Sequence, residues 1–456
     1  MKIAVKKSIL NVILSSVLLL SITPAFIPGI RVSADSYPLQ WRIVDTPHSN
    51  NRVIASPSEI NRIAINIEST IFYALDTPNN KLYKSTDSGI TWEQELSDRL
   101  VLAGARLPIW DIANPVDSSN LLVAVTDGDG SPNGPKNIFV SEDGGQTWNN
   151  TNLPALPASE YISCVDISRL HSGKKRDIAI GTRNGTGNSN MWILKTTDAG
   201  TGVWNNQCIA PSTGWTNGDV ITLKFSPNYN IDESIVVITS NAGGTYLNLG
   251  DRDILENSTA WNILVNYPVL LMSDSGNSPD HTEIINADLE LPSNFGEDST
   301  EIRHYFISTD AYNIASTSYI GGLFRVDDDV LTDITPPDSD RISSITYHYD
   351  FTEENILLAG EVEADPNIGK VNIWRCTNPD ATYPTWPTRN NYKPPTGGAN
   401  SGYANAQLMF GLDGKIVYCG TSSADFQTGG TSMIPGSGQW PEALLNTSTL
   451  DESAEV

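Results

Sequence analysis

Short runs rich in Val, Ile, Tyr and Phe recur along the chain, each bounded by Gly, Pro, Asn, Asp or Ser. Lys81-Leu82-Tyr83, Asn137 to Val140, Met191 to Leu194, Val220 to Phe225 and Ser234 to Thr239 are examples. Runs of this length and composition predict β-strands, and helix-bundle patterns are missing, so the expected fold class is all-β. A longer period lies over the short one: Trp92, Trp148, Trp204 and Trp261 follow one another at 56, 56 and 57 residues. A constant interval of this kind marks a repeated supersecondary unit.

The first three of these tryptophans each close a motif that follows an apolar run. They are Ser85-Thr86-Asp87-Ser88-Gly89-Ile90-Thr91-Trp92, Ser141-Glu142-Asp143-Gly144-Gly145-Gln146-Thr147-Trp148, and Thr196-Thr197-Asp198-Ala199-Gly200-Thr201-Gly202-Val203-Trp204, the last with one extra residue. Short hydroxyl and carboxylate side chains satisfy turn amides, and glycine takes a left-handed conformation that other residues resist. The tryptophan is expected to fold back over its own turn, burying on the order of 200 Å². The pattern Ser-x-Asp-x-Gly-x-Thr-Trp resembles the Asp-box of sialidases, sortilin-type receptors, xyloglucanases and photosystem assembly factors. That resemblance implies a β-propeller with the boxes on peripheral turns, opposite the usual ligand face. It makes Ser85, Asp87, Gly89, Trp92, Ser141, Asp143, Gly145, Trp148, Thr196, Asp198, Gly200 and Trp204 structural residues.

Later segments keep the period while the motif decays. Ile284 to Leu289, His304 to Ser308 and Gly322 to Val326 predict a fifth unit, and Arg341 to Trp386 a sixth in which Cys376 stands where a box would have serine. Ala406 to Phe410 and Lys415 to Gly420 open a seventh, giving seven units of about 55 to 65 residues counted from Glu59. Units this size cannot bury both faces alone and must stack radially. A single seven-bladed β-propeller over residues 35–456 is therefore expected. The last unit lacks a box, and Gln40-Trp41-Arg42-Ile43-Val44 resembles the tryptophan and outer strand that follow one. An incomplete last blade closed by an N-terminal strand is the expected solution.

Residues 1–34 predict an export signal. Lys2, Lys6 and Lys7 precede an apolar run from Ile9 to Leu20, and Val32-Ser33-Ala34 offers a cleavage site. An uncleaved anchor is the competing reading, against which Pro24 and Pro28 stand. The mature chain is expected to be secreted or at the cell surface, without membrane insertion and as a monomer. Its formal charge of -25 becomes -29 once Lys2, Lys6, Lys7 and Arg31 leave, which disfavours nucleic acid and anionic lipid as partners. Cys164, Cys208, Cys376 and Cys419 allow three disulfide pairings, and buried thiols are an equal alternative. No zinc spacing, phosphate loop or nucleophile elbow occurs, so no metal or cofactor is expected.

Catalytic groups must then lie away from the boxes. The resemblance to sialidases directs attention to arginines that hold a carboxylate: Arg106-Leu107-Pro108 is a faint match, and Arg183, Arg303, Arg325, Arg341 and Arg375 are available. The resemblance to xyloglucanases directs it to acid and base aspartates, for which Asp111 and Asp166 are candidates. Asp127-Gly128-Asp129-Gly130-Ser131-Pro132-Asn133-Gly134 has spaced oxygens but lacks the closing glutamate of a calcium loop, and Asp327-Asp328-Asp329 reads as a turn. Tyr383, Trp386, Tyr392 and Tyr403 stand in a Pro- and Gly-rich stretch suited to stacking on sugars or to a protein partner. The preferred expectation is a non-catalytic binding or cell-surface interaction module whose partner is a glycan or a protein. A glycoside hydrolase using central carboxylates is the alternative, and an assembly factor for another exported protein a third.

Overall fold

The computed structural model describes residues 41–43 and 447–451, 94–126 and 202–273, and most of 60–87, 137–196, 282–386 and 405–422. Within the compact unit Leu39–Glu452 the described strands form seven antiparallel sheets. Six of them use contiguous chain, and their first strands are Arg62–Ile65, Ile109–Ala113, Tyr161–Ile167, Asp219–Phe225, Thr282–Glu290 and Ile342–His348. The remaining sheet is composite: Asn405–Phe410 and Ile416–Ser422 pair in turn with Thr447–Asp451, which pairs with the N-terminal strand Trp41–Ile43. The fold is an all-β propeller. Six blades, not seven, are built of contiguous chain; the expected count of seven included as its last blade the composite sheet, which takes its outer strand from the other end of the chain.

The core lies between blades rather than inside any one of them. Tyr73, Leu75 and Leu82 of the first sheet pack with Ile112, Ala124 and Phe139 of the second. Comparable clusters fill each later junction up to the sixth sheet, and Ile63, Ile65 and Phe72 meet Tyr418 of the composite sheet. The Phe72 and Tyr418 rings meet edge to face at 4.3 Å. Each sheet is apolar on both faces because each face is covered by a neighbour. This explains strands such as Phe72–Asp76 and Leu122–Thr126, which are buried at every position instead of alternating.

The recurrent tryptophans serve these junctions. Trp148 Nε1 donates to Gly145 O of its own turn at 3.1 Å. Trp204 and Trp261 instead donate to carbonyls just past the outer strand of the preceding sheet, at Thr151 (3.2 Å) and Gln207 (2.8 Å). Trp386 repeats the geometry on Ile334 at 2.9 Å. These indoles pin one blade to the last rather than a hairpin to itself. A second recurring contact points the other way. Lys84 Nζ donates to Gly144 O at 2.9 Å, Lys195 Nζ to Ile254 O, and Arg325 Nη1 to Pro379 O and Ala381 O at 2.6 and 2.8 Å. In each case a third-strand cation caps carbonyls of the next blade's outer turn. Replacing Lys84 with methionine leaves a buried carbonyl without its donor, and a stability loss of about 1.5–3 kcal/mol is expected in a denaturant titration.

Candidate functional site

Seven first strands surround one central cavity of about 130 Å³ lined by Arg62, Asp111, Cys164, Asp166, Lys224, Asp288, Glu290, Ser344 and Gln407, among others. Five of these strands carry a register shift near their start, at Ile109/Asp111, Ile162/Cys164, Val220/Thr222, Ile284/Asn286 and Ile342/Ser344. A bulge re-aims the side chain that follows it and increases local twist. Here it places Asp111, Cys164, Thr222, Asn286 and Ser344 at equivalent positions, and the residues two further on include Asp166, Lys224 and Asp288.

A first strand is a sheet edge, and its outward amides need acceptors. The inward polar side chains supply them from the neighbouring blade. Asp111 accepts Val165 N at 3.2 Å, Asp166 accepts Phe225 N at 2.8 Å, and Asp288 accepts Ile345 N at 2.9 Å. Ser344 and Thr346 accept Leu408 N and Phe410 N, both at 3.0 Å. The two cations are engaged as well. Arg62 grips Asp111 through Nε at 2.8 Å and Nη2 at 3.3 Å, and Lys224 holds Glu290 at 2.9 Å. Burial pushes the Asp166 carboxyl up to about 6 and that of Glu290 up to about 7, although Lys224 pulls Glu290 back. Burial opposes charge on Lys224, but Glu290, Asp288 and Asp166 outweigh it and raise its affinity for a proton.

Asp111 and Asp166, singled out from sequence, do reach the same cavity. The arginines do not. Arg183 donates to Ile284 O and Ile285 O of the fifth sheet at 2.6 and 3.2 Å, bridging past the fourth. Arg303 pairs with Asp328, and Arg325 with Asp327 at 2.8 Å. Arg341 forks onto Asp310 at 2.8 and 2.9 Å beneath the Tyr319 ring, Arg375 is buried in the strand Ile373–Cys376, and Arg106 is exposed. A carboxylate-binding arginine set is not assembled among the described residues. Asp327 ends the strand Gly322–Asp327, and Asp328 and Asp329 form the turn that follows, with Asp328 at φ 58°. Sequence reasoning missed Lys224, Asp288, Glu290 and Arg62; for Lys224 and Asp288 the offset of two behind the bulged position was the available signal.

The outer turn of the second sheet is tied together by its own side chains. Ser141 Oγ donates to Asp143 Oδ1 at 2.8 Å and accepts Gly145 N at 2.7 Å. Asp143 accepts Gln146 N, Thr147 N and Thr147 Oγ1 at 2.9, 2.8 and 2.6 Å. Against a desolvation that raises it, these donors bring the Asp143 carboxyl down to about 2. Gly145 lies at φ 90°, and a side chain there would collide with Leu96. Ser85 Oγ likewise donates to Asp87 at 2.8 Å, whereas Gly89 and Trp92 lie outside the described residues, as do Asp198, Gly200, the loop 127–134, Tyr392, Tyr403 and residues 1–34. The backbone of Thr196 ends its strand, and Tyr383 is exposed.

No disulfide joins the four cysteines, and burial pushes the Cys164 thiol up to about 12. Among the described residues no cluster of His, Cys, Asp or Glu is arranged to hold a metal, and no helix is long and apolar enough to cross a membrane. A larger groove of about 770 Å³ lies between the third strand of the third sheet and the last two strands of the fourth, lined by Lys175, Lys195, Glu233, Asp251, Arg252 and Asp253 among others.

No protein-family model matches the chain, and no curated protein matches it. Among solved structures it is similar to the GH74 xyloglucanase of Xanthomonas campestris, with a TM-score of 0.50 and 13% identity over 86% of this chain and 55% of that one. It is likewise similar to the GH74 enzyme of Niastella koreensis, with a TM-score of 0.50 and 13% identity over 82% and 52%. The chain spans about half the length of these enzymes. At this identity the likeness is one of fold.

Proposed function

We propose that the chain is an exported, non-catalytic Asp-box β-propeller that binds a glycan or protein partner at the cell surface. On this reading the composite sheet counts as a seventh blade, and the Ser141–Trp148 turn represents the boxes. One observation carries the non-catalytic part: every carboxylate of the central cavity is already engaged, Asp111 by Arg62, Asp166 and Asp288 by amides of the next blade, and Glu290 by Lys224. The cavity of about 130 Å³ also falls below the range of about 300–1,000 Å³ usual for small-molecule sites, whereas the outer groove of about 770 Å³ falls inside it.

A second reading, glycoside hydrolysis, draws on Glu290 and Asp166, whose raised proton affinities at about 7 and about 6 suit a general acid. A panel of fluorogenic glycosides and polysaccharides separates the two. No turnover is expected, and binding to an immobilised glycan or envelope protein should survive Glu290→Gln. Turnover abolished by Asp166→Asn or Glu290→Gln would overturn the proposal.

A further inference from the structure

We propose that the central cavity is a proton-binding cluster that stabilises the ring of blades as the surroundings turn from neutral to mildly acidic. The geometry sets up an imbalance. Four carboxylates, Asp111, Asp166, Asp288 and Glu290, share the cavity with two cations, Arg62 and Lys224. Each cation is held by a carboxylate of another strand, Arg62 by Asp111 and Lys224 by Glu290. Asp166 and Asp288 have hydrogen bonds from amides only, so two negative charges (four minus two) remain in excess within the ring.

The titratable groups facing this space come from five strands in order: Arg62, then Asp111, then Cys164 and Asp166, then Lys224, then Asp288 and Glu290; the sixth and composite sheets present the uncharged Ser344 and Gln407. Cys164 stays a neutral thiol, since burial lifts it to about 12. The third and fifth sheets thus set Asp166 against Asp288 and Glu290, with only Lys224 of the fourth between them. A proton taken up here removes a repulsion across three blades and leaves the backbone hydrogen bonds in place.

The direction of the effect follows from linkage. Burial raises Asp166 to about 6 and Glu290 to about 7 in the fold, above their values in an unfolded chain. The folded state therefore binds more protons than the unfolded state between the two sets of values. Its added stability is full below the unfolded values and is lost as pH rises through about 6 to 7.

Thermal unfolding of the full chain at about pH 5.5 and about pH 8 tests the inference, repeated in about 1 M salt, where surface repulsion is screened beyond about 3 Å. The midpoint should be higher at the acidic pH in both salts. That gain should shrink by at least about half in Asp166→Asn and in Glu290→Gln. An equal gain in wild type and both variants would overturn the proposal. Infrared difference spectra of the wild-type chain supply a reading independent of the variants' folding. A protonated-carboxyl band persisting at about pH 5.5, where exposed carboxyls are ionised, is expected, and its absence would overturn the proposal equally.

Discussion

Replacing Arg252 with methionine should destabilise the protein by about 3–5 kcal/mol, the range for removing one partner of a buried ion pair. Arg252 and Asp177 are fully enclosed at the junction of the third and fourth sheets and meet at 3.1 Å. Arg252 also donates to Gln207 and Asn257, both at 2.9 Å, and Tyr229 donates to Asp177 at 2.7 Å. Burial works against charge on Asp177, yet His171, Arg252 and Tyr229 hold its carboxyl below the ordinary value. Without Arg252 that charge stays buried with too few partners. Asp177→Asn added to Arg252→Met should therefore recover part of the loss, and denaturant titration of the single and double variants would measure the recovery. Strict additivity would refute the pairing.

Trp261→Ala should cost about 3–5 kcal/mol. The side chain is 2% exposed, packs edge to face on Trp215 at 4.9 Å, and donates to Gln207 O at 2.8 Å. Trp261→Phe keeps much of the apolar body but strands that carbonyl, so about 1–3 kcal/mol is expected. The carbonyl belongs to the end of the previous blade, hence the Phe variant should raise hydrogen exchange near 202–207 as well as around its own strand. Enhanced exchange confined to 258–261 would mean that the indole stabilises only its own blade.

The period of the tryptophans and the short apolar runs made the propeller legible before any coordinates. Strands such as Val220 to Phe225 and Gly322 to Val326 fall within a residue of their observed limits. What the indoles do was less legible, because a carbonyl more than fifty residues back, as Gln207 is from Trp261, leaves no mark in a local motif. The same applies to the central cavity. Asp111 and Asp166 drew notice as carboxylates at blade starts, but their partners come from other blades: Arg62 is 49 positions from Asp111, and Phe225 is 59 from Asp166. Charge placed in the middle of a ring invites a catalytic interpretation. The hydrogen bonds show that Asp166 and Asp288 also join the edges of neighbouring blades. The arginines behave similarly: Arg183 is consumed by a carbonyl of the fifth sheet, and Arg325 and Arg341 by a carbonyl and a carboxylate at the junction of the fifth and sixth sheets.

Closure of the ring is where all these contacts are put to the test together. Trp41, Arg42 and Ile43 lie opposite Leu450, Thr449 and Ser448, so the first and last described strands of the chain complete one sheet. Deleting residues 35–45 and recording the thermal midpoint, with hydrogen exchange at 447–451, addresses the matter directly. A lower midpoint and loss of protection at 447–451 are expected. An unchanged midpoint with protection intact would mean that the blades do not depend on a strand lent from the N-terminus.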